Sequence, residues 1–329
     1  MMRFSNFLLV LSYCLFTSCS SADPVFPREE ILSQELMPLQ GITCPVRLEV
    51  KHPFLILQNM KRTDSLFHIY DLTNNEFKQA FGVIGQGPNE FISPWLFHTP
   101  LADFLINDNN RKNLIYHFNI NEEGESTCKE VKQANYITFI SDAAFINDSL
   151  YVIDAMYLEP SLYLLTLQDE LPRKKKKYRD PAIFDYLADP NSGNVYANDN
   201  RIVFCYQYKK QIDFMDTDLN LIKRVKFKYA SPTNIQRDEK ISYGIGYLGK
   251  RYLYVMFFGT SWKEYRDVSF REAFVEVFDL EGNPVVKYRL DGLGPVNFVV
   301  DEDTFTLYGV GSDGEPEDYL LMYKLRGLT

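Results

Sequence analysis

Cysteine is scarce in this chain and histidine scarcer, and neither is grouped. Five cysteines and four histidines are spread through 329 residues, none at the spacing of a metal site. No Gly-x-Ser-x-Gly elbow and no His-Glu-x-x-His stretch occurs, and the carboxylates are too dispersed to define an acid–base pair. No metal and no cofactor is therefore expected. Beyond the N-terminus nothing approaches 18 uninterrupted apolar residues, so no membrane-spanning helix is expected in the exported body. Sustained 3.6-residue spacing is missing too, which argues against helices as the main element. Positive charge is in deficit, with a formal net charge of −9. An acidic body has no long-range attraction for nucleic acid or anionic membranes, so nucleic-acid binding is not expected.

What the chain has instead is a repeat. Six β-branched or aromatic runs occur at nearly constant spacing: Phe54-Leu-Ile-Leu-Gln58, Asp103-Phe-Leu-Ile-Asn107, Leu150-Tyr-Val-Ile-Asp154, Arg201-Ile-Val-Phe-Cys205, Tyr252-Leu-Tyr-Val-Met256 and Thr304-Phe-Thr-Leu-Tyr308. A period of roughly 50 residues suits the blade of a propeller. A partner run follows each one, at 66–71, 114–119, 162–166, 212–216, 274–279 and 319–323. Several partners end in hairpin formers, as in Asp279-Leu-Glu-Gly-Asn283, because Asp, Asn and Gly tolerate the backbone angles of tight turns. A further strand leaves the turn, as in Glu76-Phe-Lys-Gln-Ala-Phe81. The expected fold is all-β, a single six-bladed propeller. Only four residues follow Leu325, too few for a last outer strand, while residues 31–37 precede the first unit unpartnered. The N-terminal strand should therefore complete the final blade and remove two sheet edges.

Residues 1–18 read as an export signal, with Arg3 before the apolar Phe7-Leu-Leu-Val-Leu-Ser-Tyr-Cys-Leu-Phe16. Phe16-Thr-Ser-Cys19 ends it like a lipobox, making Cys19 the candidate lipidation site; ordinary signal cleavage is the alternative. Residues 19–30 would form a tether and 31–329 the propeller. Of the remaining cysteines, Cys205 reads as a buried strand thiol, and a bridge between Cys44 and Cys128 is not expected.

Gly85-Gln-Gly-Pro-Asn-Glu-Phe91 follows the first unit. With the repeat and the lipobox, this segment makes the chain resemble the TolB-like six-bladed propeller lipoproteins of Bacteroidetes-type bacteria, over roughly residues 31–329. The resemblance implies an envelope location, an outer-membrane lipid anchor being the expectation, and little about activity. The glycine segment itself reads as an inter-blade turn: a phosphate cradle would need a following helix N-terminus and usually a Lys.

Arg173-Lys-Lys-Lys-Lys177 should run along the outer strand of the third blade as a guard against edge pairing, with contact to anionic lipid or lipopolysaccharide as the alternative. His68 and His117 read as equivalent packed positions in the second runs of blades one and two. Binding is expected where the paired runs connect, at 59–64, 108–113, 155–161, 206–211, 258–273 and 309–318, because these loops share a face with the mouth of the central channel. The fifth is the longest, and Trp262, Tyr265 and Arg266 would supply stacking area and a directed charge. Arg62, Arg111, Tyr157 and Tyr206 would complete the rim; the alternative is a lid. The expected role is a monomeric, envelope-anchored binding or scaffold module for an extracytoplasmic protein, peptide or glycan, touching membrane through its anchor only. A propeller hydrolase or lyase and a purely structural envelope component are the rival readings.

Overall fold

The computed structural model describes residues 23–42, 44–60, 65–87, 90–108, 114–135, 143–154, 161–178, 189–229, 239–261, 263–264, 272–292, 294–311 and 318–329. Two short strands, β1 (Glu29–Leu32) and β2 (Glu35–Pro38), come first. Blade 1 is then built outward from the channel as β3 (Pro45–Lys51), β4 (Phe54–Asn59), β5 (Phe67–Asp71) and β6 (Glu76–Phe81). The crossing to blade 2 carries β7 (Val83–Ile84) and β8 (Glu90–Phe91). Blade 2 follows as β9 (Pro94–Phe97), β10 (Phe104–Asp108), β11 (Leu114–Ile120) and β12 (Ser126–Gln133). Blade 3 comprises β13 (Ala143–Phe145), β14 (Leu150–Asp154), β15 (Ser161–Thr166) and β16 (Lys174–Lys177). Blade 4 comprises β17 (Gly193–Ala197), β18 (Ile202–Tyr206), β19 (Gln211–Met215) and β20 (Leu221–Lys226). Blade 5 comprises β21 (Lys240–Leu248), β22 (Tyr252–Ser261), β23 (Ala273–Asp279) and β24 (Pro284–Leu290). Blade 6 has β25 (Asn297–Asp301), β26 (Thr306–Val310) and β27 (Tyr319–Lys324).

The repeat runs are the second and third strands of each blade, where side chains on both faces are buried against neighbouring blades. Leu55 and Leu57 pack toward blade 6, and Ile56 toward blade 2 with Phe104 and Ile106. Burying such side chains contributes roughly 1.5–3 kcal/mol each, which is why these strands carry the sequence signal. Phe104 and Phe118 stack with centroids 5.3 Å apart, adding ring–ring attraction to area burial. Polar ties join the inner strands: Asn194 Nδ2 donates to Gly244 O at 2.9 Å and Asn297 Nδ2 to Val46 O at 2.8 Å.

The N-terminal segment closes the ring and also divides. β2 pairs antiparallel with β27, from Glu35 opposite Met322 to Pro38 opposite Tyr319, and so completes blade 6. β1 leaves that blade and adds a parallel fifth strand to blade 5 beside β24. Buried Leu32 and Met37 anchor the two halves, while Arg28 donates to the carbonyls of Arg326 and Gly327. The first described residues are also docked: Asp23 accepts from Lys228 N at 2.9 Å, and Phe26 stacks on Phe227 and meets Phe278 edge-on.

The two histidines of the second runs are not equivalent. His68 lies opposite Leu57 and His117 opposite Leu105, which puts them on opposite faces of their blades because adjacent strand residues point to opposite sides. Both are buried, and burial chiefly lowers their basicity. The lysine run forms the outer strand of blade 3, and its alternate members do different work. Lys174 and Lys176 turn inward to Asn220 Oδ1 (2.9 Å) and Leu219 O (3.1 Å) of blade 4, while Lys175 and Lys177 are exposed. Cys44, Cys128 and Cys205 are free thiols, Cys205 fully buried.

Ring closure yields a direct expectation. Deleting residues 31–37 exposes the edge of β27 and strips half of β1, so the shortened protein should aggregate or lose cooperative melting. A truncated protein with the melting curve of the parent would contradict closure by β2.

Candidate functional site

Six inner strands, β3, β9, β13, β17, β21 and β25, line a central cavity of about 630 Å³. It takes in the first residues of β3, β13 and β25 and reaches Gly311, just past β26, so it lies toward the face that carries the connections between second and third strands. Its wall is largely apolar, with Val46, Ala144, Val195 and Phe298, and it is furnished with Trp95, Tyr196 and Tyr247. Among the described residues lining it, Arg47 is the sole Lys, Arg, Asp or Glu. Its guanidinium lies 4.4 Å from the centre of the Trp95 ring, within cation–π range.

The backbone around this pair is held from several sides. The register of β3 against β4 slips between Pro45 and Arg47, a bulge of the kind that re-aims a side chain, and Asn297 takes the bulged Val46 carbonyl. Gln58, almost fully buried, donates to Pro94 O at 2.7 Å and accepts from Leu96 N at 2.8 Å. It thus grips β9 on either side of Trp95. Upstream, Asp108 accepts from Ile92 N and Ser93 N. The glycine segment supplies the turn before that. Glu90 folds back so that its carboxylate accepts from Gly87 N at 2.6 Å, and Gly85 N donates to Phe91 O at 2.9 Å. A Cβ on Gly85 would collide with the Glu90 carboxylate. Phe91 is buried, edge-on to Phe67 and Tyr116. The motif is a turn that delivers the chain to Trp95.

The cavity has a floor. His98, at the end of β9, reaches across the ring from blade 2 to blade 5, where its Nε2 lies 3.0 Å from Leu248 O. Its Nδ1 is 2.9 Å from Glu49 Oε2, and its ring packs 4.6 Å from that of Tyr247. Both nitrogens face acceptor oxygens. Glu49 is completely buried and also pairs with Lys51 at 2.7 Å, while Lys51 Nζ donates to Thr99 O. Burial pushes the Glu49 carboxyl up, but the charges of Lys51 and His98 and their hydrogen bonds outweigh it, and the group is held below its ordinary range. His98 and Tyr247 border both this cavity and a second one of about 750 Å³ on the opposite face. They are the partition between the two.

The second cavity is ringed by the turns between first and second strands and is richer in charge, with Lys51, His52, Lys250, Asp301, Glu302 and Asp303. His52 Nδ1 and Asp301 Oδ2 lie 3.0 Å apart, and Asp303 brings a third potential metal-ligand atom within 4.8 Å. Asp301 already accepts from Asp303 N and Thr304 Oγ1, which locks the turn of blade 6.

Of the residues singled out in the sequence, Cys19, Arg62, Arg111, Tyr157, Trp262, Tyr265 and Arg266 lie outside the described residues. Tyr206 ends β18 as a buried ring; its hydroxyl donates to Asp213 at 3.2 Å, and burial first, then the Asp213 charge, push that hydroxyl's pKa up. Arg47, Glu49, Trp95, His98 and Tyr247 were not anticipated. They belong to inner strands, or to the ends of them, and the repeat pattern marks only the strands outside these. Alternation in Pro45-Val-Arg-Leu-Glu-Val-Lys51 was the available signal.

The partition makes a pH-dependent expectation. A carboxyl whose folded pKa is depressed stabilises the fold above its unfolded value, and that stabilisation is lost as pH falls through the folded pKa. Glu49→Gln should therefore cost about 3 kcal/mol at neutral pH, the usual penalty for breaking a buried pair. The gap between variant and parent should close below the ordinary glutamate value of 4.5. Urea melts across the acid range measure this; a constant gap would remove Glu49 as the source.

A family model described as TolB-like 6-blade propeller-like matches residues 26–303. The crystal structure of a member of the DUF4221 family from Bacteroides vulgatus is similar at 14% identity and a TM-score of 0.55, covering 92% of this chain and 97% of that one. Raptor from Chaetomium thermophilum is matched at 10% identity and a TM-score of 0.49, over 92% of this chain and 30% of that one. BamB from Moraxella catarrhalis is matched at 8% and 0.40, over 85% and 84%. No curated protein matches. At 14% identity the Bacteroides likeness is one of fold, and the assignment comes from the family model: the chain belongs to the TolB-like six-bladed propellers.

Proposed function

We propose that this propeller is a binding module of the bacterial envelope, held to a membrane through lipid on Cys19, that captures the end of an extracytoplasmic peptide, protein or glycan in its central cavity. The observation that carries the reading is the floored, aromatic-lined cavity. A volume of about 630 Å³ falls in the range of ligand pockets, and the His98 partition makes it a pocket with a bottom and not a pore. A chain end or a short saccharide fits such a space. Trp95 and Tyr196 supply flat faces for stacking, and Arg47 favours a neutral or anionic group. Glu49, Lys51 and His98 are engaged with one another, which suits a brace better than a reacting acid–base set.

Two measurements test this. Mass spectrometry of the protein extracted from membranes should find acylated Cys19 at the mature N-terminus; an unmodified start beyond Cys19 rules the anchor out. Peptide and glycan arrays should yield a ligand whose affinity falls about 30-fold, roughly 2 kcal/mol, in Arg47→Ala and in Trp95→Ala. Unchanged affinity in both variants would empty the cavity of this role, and a loss confined to Trp262→Ala would place binding on the fifth-blade connection.

A further inference from the structure

The acidic net charge hides a local reversal. Residues 169–178 and 209–228, which include the outer strands of blades 3 and 4, carry eleven Lys or Arg against five Asp or Glu in a chain whose total is −9, and of the eleven Lys210 is taken up by the buried Glu276 of blade 5. The two strands are tied side by side through Lys174 to Asn220 and Lys176 to Leu219. Several of the acids are occupied: Asp213 is clasped by Arg224 through two 2.7 Å bonds, Asp169 by Arg173 at 2.8 Å, and Asp216 caps its own turn. Glu170 and Asp218 remain exposed within the strip. Large aliphatic side chains stand out beside the cations, with Leu171 76%, Ile222 51% and Leu221 45% exposed. Lysines with protruding aliphatics are the composition of a surface that meets an anionic bilayer. At physiological salt, fields decay over about 8 Å, so the local charge and not the molecular total governs contact.

The path of the N-terminus is a second, independent observation. Asp23 is hydrogen-bonded to Lys228 N, two residues past the end of β20, and Phe26 is packed on Phe227. The chain therefore leaves the body at this same rim. Three residues lie between Cys19 and Asp23, four Cα steps with a reach of at most about 14 Å.

We infer that the outer rim of blades 3 and 4 docks on an anionic phospholipid surface and sets the orientation of the propeller on the membrane. This rests on the membrane-anchored reading for its physiological setting, but the lipid selectivity it requires does not depend on acylation. A bilayer at this rim would lie along the side of the ring and leave both cavity mouths clear.

The test uses the full chain and flotation with two vesicle types, pure phosphatidylcholine and phosphatidylcholine mixed with phosphatidylglycerol. The apolar leader contributes alike to both, whereas the rim contributes only where anionic lipid is present. At about 1 kcal/mol per cation near the surface, the parent should partition at least tenfold more strongly onto phosphatidylglycerol vesicles, and high salt should abolish the preference. Lys226→Glu with Lys228→Glu should erase it, with thermal melting confirming that the variant is folded. The same charge change on the outer strand of blade 2, Lys129→Glu with Lys132→Glu, should leave it in place. No preference in the parent, its persistence in the rim variant, or equal loss in both variants would overturn the inference. Mass analysis of Cys19 reports on the anchor separately, so the two readings fail independently.

Discussion

Pairing of β2 with β27 is the constraint on which the molecule depends. Six twisted sheets around an axis bury their faces against one another, but each burial requires a neighbour on both sides, so an open ring leaves two faces wet and two strand edges unpaired. The chain solves this by spending its first strands on its last blades. β1 on β24 and β2 on β27 fasten blades 5 and 6 to the same short segment. Tyr323 and Tyr288 hydroxyls add bonds to Gln34 and to the Arg326 carbonyl.

Closure at the circumference is matched by a tie across the axis. His98 joins blade 2 to the opposite blade 5, and Glu49 joins both to blade 1. These bonds span 49 to 150 residues of sequence, so none of them is a local contact. They convert a channel into two unlike cavities, one apolar and aromatic with Arg47 the sole guanidinium among its described lining residues, the other charged and edged by turns. The Glu49 carboxylate stays ionised there because Lys51 and His98 offset its burial. Glu276, equally buried but with Lys210 as its principal cation, is shifted the other way by burial. Two buried acids in one fold thus take opposite shifts: at Glu49 the neighbouring charges and hydrogen bonds outweigh burial, and at Glu276 burial outweighs Lys210, Tyr243 and Lys287.

Polar side chains that look unremarkable in sequence turn out to place the cavity's walls. Gln58 ends a repeat run, yet both ends of its amide are used to hold β9 beside Trp95. Asp108 ends the corresponding run of blade 2 and gathers the backbone leading into the same strand. The glycine motif acts further upstream, where Gly85 and Gly87 make room for the Glu90 carboxylate.

By itself the sequence determined the all-β propeller, the number of blades, the completion of the last blade by the N-terminus and the outer-strand position of the lysine run. These follow from local pattern: double-sided burial forces continuous apolar runs, and hairpins demand Asp, Asn and Gly at fixed offsets. Tertiary structure alone decided the rest. The inner strands face a channel on one side, so Arg47 and Glu49 leave only the short alternation of residues 45–51, and Trp95 and His98 leave no periodic trace. Their meeting depends on which blade lies opposite which. The divided role of residues 29–38 and the one-residue offset between His68 and His117 are equally matters of register, set by cross-strand pairing that no local composition encodes.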